Sequence, residues 1–174
     1  MHPSTTSPER SFGWLLAALV LLCAMPAFAA RFVGIVTHVT DGDTLWVKRH
    51  GQQARIQLRL EGLDAPEICQ DHGPAARAAL EGLVLHRTVV VTTRARDRFE
   101  RTIARIRLPD DDAGRWMVRH GHAWSQRFKR SGGPYAAEEA LAHGNRLGLW
   151  AQPAPLEPRA FRKGHGRCGH TGQV

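Results

Sequence analysis

Past a first apolar run, hydrophobic and polar positions fall into short alternating segments divided by turn residues. Arg31 to Thr40 is rich in β-branched residues and stops at Asp41-Gly42, a turn dipeptide, before Thr44-Leu-Trp-Val-Lys48 resumes the extended pattern. His50-Gly51 makes a second turn. Ala54 to Glu61 then alternates strictly, with Ile56, Leu58 and Leu60 on one face and Arg55, Gln57, Arg59 and Glu61 on the other. Three consecutive strands therefore form a meander with one polar face. Beyond it, Pro74 opens an Ala-rich stretch in which Ala76, Leu80, Leu83 and Val84 recur at helical spacing. Two more strands, Thr88 to Thr93 and Thr102 to Leu108, flank an Arg-Asp-Arg-Phe-Glu-Arg connection. Short helices are expected at Trp116 to His122 and Tyr135 to Arg146, split by Ser131-Gly-Gly-Pro134.

The order β-β-β-α-β-β-α-α predicts an α+β, mainly β architecture: a five-stranded OB-fold barrel with about three helices. Strands 2 and 3 of such barrels, with the adjacent loops, commonly bind oligonucleotides. The ends of the chain read differently. Arg10, the apolar run from Trp14, Pro26 and the small-x-small Ala27-Phe28-Ala29 make residues 1–29 a secretory signal peptide, with Pro26 leaving the apolar run too short to span a bilayer. Residues 30–151 form the domain. Residues 152–174, with Pro153, Pro155 and Pro158 before Arg162, Lys163, His165, Arg167 and His170, are expected to lie along the surface without regular structure.

Charge sharpens this picture. The chain carries 24 Lys and Arg against 16 Asp and Glu, a formal charge of +8, and all but Lys48, Lys129 and Lys163 of its cations are arginine. Guanidinium presents a planar fork of donors that suits phosphate. Residues 87–107 hold seven arginines against Asp97 and Glu100, and residues 114–130 hold five cations and no acid. These are candidate polyanion-facing surfaces. Residues 41–67 invert the pattern with Asp41, Asp43, Glu61, Asp64 and Glu67. A carboxylate cluster inside a basic chain is the arrangement that would hold a divalent cation against a phosphate.

Asp41 and Asp43 are two apart and share a face if extended. Asp64 and Glu67 flank Ala65-Pro66 at the exit of the third strand, and Arg59 precedes them on its polar face. Hard oxygen donors with no His or Cys at metal spacing point to Ca²⁺ or Mg²⁺ over zinc. Taken singly, Asp41-Gly-Asp-Thr44 also reads as a hairpin turn and Asp64-Ala-Pro-Glu67 as a helix-entry turn. Asp110-Asp-Asp-Ala-Gly114 lacks the twelfth-position Glu of a calcium loop and reads as a strand-to-helix turn. Removal of the leader takes Cys23 and leaves Cys69 and Cys168, an even count in an exported chain, so a disulfide is expected to pin the tail beside the loop after Glu67.

Together, Asp41-Gly-Asp-Thr44, Arg59-Leu-Glu-Gly-Leu-Asp64-Ala-Pro-Glu67, Asp97-Arg-Phe-Glu-Arg101 and Gly148-Leu149-Trp150 resemble, in order and spacing, the signature of the thermonuclease family, the staphylococcal nuclease-like proteins. The resemblance spans roughly residues 32–151. It implies a phosphodiesterase on an OB-fold that uses one Ca²⁺ ion and cuts DNA and RNA with little sequence preference, leaving 3′-phosphate ends. Carried over by position, Asp43, Asp64 and the Ala65 carbonyl are metal ligands and Asp41 a carboxylate behind them. Glu67 is the general base or water-orienting group, and Arg59 and Arg101 grip the scissile phosphate.

Arg98 and Phe99 are candidates for substrate contact, although Phe99 fits a packing role equally well. Two positions depart from the family pattern: Ala65 replaces a Thr, and Glu100 stands where Gly commonly precedes the second arginine. The protein is expected to be exported, periplasmic or secreted, a monomer without stable membrane association once the leader is cut. A non-catalytic OB module that binds polyanions is the alternative, and it would need the basic surfaces but not this set of acids and arginines.

Overall fold

A computed structural model describes residues 29–166 and Cys168. The expected leader, apart from Ala29, lies outside the described residues, as do Arg167 and His170 of the tail. The first strand, β1 (Arg31–Val39), buries Phe32, Gly34 and Val36 in alternation and then Val39 after a gap of three. Its register shifts between Val36 and His38, and the extra residue of that bulge returns Val39 to the core. β2 (Thr44–Arg49) pairs antiparallel with β1 and with β3 (Arg55–Leu60). After the helix α1 (Gly73–Val84), β5 (Thr88–Arg96) pairs with β1 and with β6 (Thr102–Arg107). A parallel pairing of β3 with β6 closes the barrel in the order β1-β2-β3-β6-β5. Closure leaves no free edge among these strands.

The interior is aliphatic. Leu45, Val47, Leu58, Leu60, Val89, Val91, Ala104 and Ile106 line it from the strands, and α1 adds Ala76, Leu80 and Val84 at four-residue intervals. Outside the barrel, β4 (Leu63–Asp64) pairs with β7 (Trp124–Ser125) as a separate sheet, two residues each, too short for any periodicity to announce. α2 (Ala113–Arg119) starts at Asp112, whose carboxylate accepts from the Arg115 N–H at 3.0 Å. The acidic run at 110–112 is thus a helix entry. α3 (Ala136–Gly144) and a 3₁₀ turn (Gly148–Ala151) follow.

Two expectations are corrected at the C-terminus. Among the described residues there are four α-helices where about three were expected, because Pro158–His165 forms α4 in the segment expected to lack regular structure. Pro158 occupies its first turn, where a missing N–H costs nothing. Among the described residues no helix is long and apolar enough to cross a membrane.

A stack of rings joins α1 to the end of α2. His72 and His122 lie 3.1 Å apart through their ring nitrogens, and Trp116 stacks against both His120 and His122. Burial, then the neighbouring His72 and His120, push the His122 pKa down from 6.5 to about 4. The unfolded chain takes up this proton near 6.5 and the folded chain only near 4, so acidification through that window favours unfolding. His122→Phe should therefore lose less melting temperature than the wild type between pH 6.5 and 4. Parallel Tm-against-pH curves for the two proteins would contradict this.

Candidate active site

The turn from β1 to β2 sets the first carboxylates. Asp41 Oδ1 accepts from the Asp43 N–H at 3.0 Å, and Asp43 is only 6% exposed. A Cβ on Gly42 would fall 2.7 Å from the Ala65 Cβ and 2.8 Å from that of Ala76. The missing side chain lets the turn seat against the exit of β3 and against α1. Asp43 then reaches across: its Oδ2 accepts from the Ala65 N–H at 3.3 Å, and its Oδ1 accepts from the Thr44 hydroxyl at 2.9 Å.

Arg59, on the polar face of β3, ties these pieces together. Its Nη2 lies 3.1 Å from Asp43 Oδ2 and 2.9 Å from Asp64 Oδ1, while Nη1 donates to the Leu60 and Leu63 carbonyls. Both carboxylates thus converge on one nitrogen. Beyond Asp64 the chain turns sharply through Glu67, whose carbonyl accepts from the Gln70 N–H at 2.8 Å. A Cβ at Gly73 would sit 2.0 Å from that carbonyl, so only glycine lets α1 begin so close to Glu67. Gln70 Oε1 also accepts from the Glu67 N–H.

The β5–β6 connection brings the second arginine. Asp97 accepts from the N–H groups of Phe99 and Arg101 and from the Arg101 side chain, with 2.8 Å to Arg101 Nη2. Burial opposes charge on Asp97, but these bonds prevail and hold its pKa below the usual carboxylate value. Arg101 Nη1 donates to Thr44 Oγ1 at 3.0 Å, so a chain of bonds runs from Arg101 through Thr44 to Asp43. Glu100 has φ 62°, the left-handed region that glycine prefers. Phe99 is 42% exposed, with the Arg98 and Arg101 guanidinium groups over its ring at 4.8 and 5.6 Å.

The C-terminal segment adds a residue that the sequence did not single out. Arg162 of α4 places Nη2 2.8 Å from Asp64 Oδ2 and Nη1 3.3 Å from Asp64 Oδ1 and 2.7 Å from Glu67 Oε1. Cys168 is bonded to Cys69, two residues after Glu67, and fixes the end of this segment beside the site. Thr44 belongs to the first motif without a role of its own there, and Gln70 lies outside the motifs; both hold site residues in place. The expected Cys69–Cys168 bond brings the cationic tail beside the Glu67 loop, but nothing in the sequence distinguishes Arg162 from the other cations of that tail.

Asp41, Asp43, Arg59, Ala65, Glu67, Phe99 and Arg101 line one cleft of about 580 Å³, with Arg162 at its border. A second hollow of about 670 Å³ shares Arg98, Gln126 and Arg162 with it and adds Asp64, Arg159 and Lys163. Burial, then Asp43, push the Asp41 pKa up to about 7. Burial also raises that of Asp64, while Asp43 foremost raises that of Arg59. Among the described residues no three His, Cys, Asp or Glu side chains stand close enough together to hold a metal ion. The donor chemistry nevertheless fits a hard cation: Asp41, Asp43 and Glu67 line the cleft and Asp64 the adjoining hollow, offering carboxylate oxygens without imidazole or sulfur.

A closed five-stranded barrel carrying acids and arginines in one open cleft defines an OB-fold protein built to meet a polyanion. Residues 57–152 match the family described as staphylococcal nuclease homologue. The chain is 38% identical to protein ParB of Escherichia coli, over 89% of this chain and 94% of that one. It is 36% identical to a micrococcal nuclease of Shigella flexneri, over 84% and 89%, and 30% identical to an uncharacterized endonuclease of Haemophilus influenzae, over 86% and 84%. The chain belongs to the staphylococcal nuclease homologue family and is a nuclease, a hydrolase of phosphodiester bonds. That assignment takes the place of the non-catalytic binding module.

The left-handed Glu100 yields a direct test of the departure from the family pattern. A non-glycine residue there costs about 1–2 kcal/mol, against about 0.5–1 kcal/mol of chain entropy for glycine. The Arg96–Glu100 ion pair is exposed and adds little. Glu100→Gly should match or exceed the wild-type Tm in a thermal melt, and Glu100→Val should fall below it. A Glu100→Gly protein that melts lower would refute the strain argument.

Proposed function

We propose that the chain is an exported, Ca²⁺-dependent nuclease that hydrolyses DNA and RNA with little sequence preference and leaves 3′-phosphate ends. The observation that supports this most is the convergence of Asp43 and Asp64 on Arg59, with Asp43, Arg59, Glu67 and Arg101 lining one cleft. Asp43, Asp64 and the Ala65 carbonyl would hold the cation, with Asp41 behind them. When bound, it supplies Lewis-acid neutralisation of charge on the phosphate.

The chain's own residues do the rest. Glu67 accepts the proton of the attacking water at a carboxylate oxygen, and as the P–O5′ bond breaks on the far side of phosphorus the 5′-oxygen takes up a proton from solvent in the open cleft. Negative charge grows on the non-bridging oxygens as the water attacks, and the Arg59 and Arg101 guanidinium groups donate to them more strongly there than in the ground state. Asp97 and Thr44 hold Arg101 for that task. Arg98, Arg159 and Lys163 border the adjoining hollow and, among the described residues, form no ion pair, which suits flanking phosphates. Arg98 and Phe99 then meet the nucleotide beside the cut. An open, solvent-lined cleft with contacts to phosphate in place of base edges favours low sequence preference.

Export rests on the leader, residues 1–29, and is supported by the Cys69–Cys168 bond, which belongs to an oxidising compartment such as the periplasm or the exterior. The mature unit is then a monomeric domain of residues 30–151 with a tail of residues 152–174, whose helix α4 reaches back to Asp64 and Glu67, without stable membrane association.

Purified mature protein should degrade plasmid DNA and RNA with added Ca²⁺, stop with a chelator, and leave 3′-phosphate termini in end-group analysis. Glu67→Gln should lower kcat on the order of 10²–10⁴-fold while gel retardation of DNA persists. Wild-type turnover in Glu67→Gln, or full activity in chelator, would overturn the reading.

A further inference from the structure

The α4 helix lies beyond residues 57–152, the part of the chain matched by the family, yet it sends a side chain onto two of the carboxylates assigned above. Arg162 takes both oxygens of Asp64 and one oxygen of Glu67. Asp64 Oδ1 already accepts from Arg59 at 2.9 Å, so both of its oxygens carry guanidinium donors. A hard cation that needs an Asp64 oxygen meets Arg162 there as a competitor. The competitor is also held in reach, because Cys168 is bonded to Cys69 just past Glu67.

We propose that Arg162 is a positioning residue of the cleft, a tethered counter-cation that holds Asp64 and Glu67 in place and is exchanged for the divalent ion when it binds. The proposal rests on the metal reading above. Without a counter-cation, Asp41, Asp43, Asp64 and Glu67 would face Arg59 alone, and mutual repulsion would spread the loops that carry them. Arg162 supplies the missing positive charge through a planar fork that spans two carboxylates, which a lysine cannot do. The cation brings two charges to the same oxygens and makes the fork dispensable. Once displaced, Arg162 stays at the border of both hollows, where a phosphate of the substrate would lie.

The test compares wild type, Arg162→Gln and Arg162→Lys by Ca²⁺ calorimetry and by thermal melts in chelator and in saturating Ca²⁺. With its side chain 28% exposed, Arg162 stands between a surface and a buried ion pair, so Arg162→Gln should bind Ca²⁺ about tenfold more tightly. It should melt below wild type in chelator, and the gap should close in Ca²⁺. Arg162→Lys should fall between, and it carries the same comparison if Arg162→Gln does not fold. Unchanged or weaker Ca²⁺ affinity, or an equal Tm loss with and without Ca²⁺, overturns the exchange while leaving the metal reading standing. No Ca²⁺ binding by any of the three proteins overturns the metal reading and the exchange with it.

Discussion

Asp43 is almost fully buried, and its carboxylate faces that of Asp64 across a single arginine nitrogen. Two like charges held this close in a site shielded from water repel strongly, and a domain is held together by only about 5–15 kcal/mol. Arg59 turns that repulsion into attraction. Its other nitrogen binds the Leu60 and Leu63 carbonyls, so the same side chain fastens the end of β3 to the start of β4. The β1–β2 turn, the β3 exit and the Glu67 loop take up their arrangement around this guanidinium.

From Asp43 the constraint passes outward by hydrogen bonds. Thr44 links it to Arg101, and Asp97 grips Arg101 from the other side, so the β5–β6 connection is registered against the β1–β2 turn. Parallel pairing of β3 with β6 makes this possible, since it brings the strand that carries Arg59 beside the strand that follows Arg101. The barrel thus acts as a rigid frame that holds two arginines and the acids at fixed separation. Such preorganisation is what electrostatic catalysis requires of a protein.

Much of this was legible in the residues. Strict alternation in Ala54 to Glu61 placed Arg59 on the polar face of its strand, and turn chemistry placed Asp41-Gly42 between β1 and β2. Three spaced motifs point to one site. The C-terminal helix was not legible, because three prolines and a cationic run argue for an extended surface segment. Its eight residues are too few to be stable alone, and tertiary bonds hold them: Arg162 to Asp64 and Glu67, and Cys168 to Cys69. The two-residue β4–β7 pair escaped notice for a similar reason, since it arises only where β4 meets the segment after α2.

The misread tail and the well-read motifs share one physical cause. A cluster of acids draws any nearby arginine, and local pattern cannot say which arginine will arrive. Composition located the acids because they sit in short, rigid turns. It could not locate Arg162, because that residue is brought from far along the chain by a disulfide and by the charge of the acids themselves. The basic excess of the chain therefore divides into two kinds of cation. Arg98, Arg159 and Lys163 carry no ion pair among the described residues and stand exposed beside the second hollow. Arg59 and Arg162 are turned inward and keep the acids of the site from unfolding it.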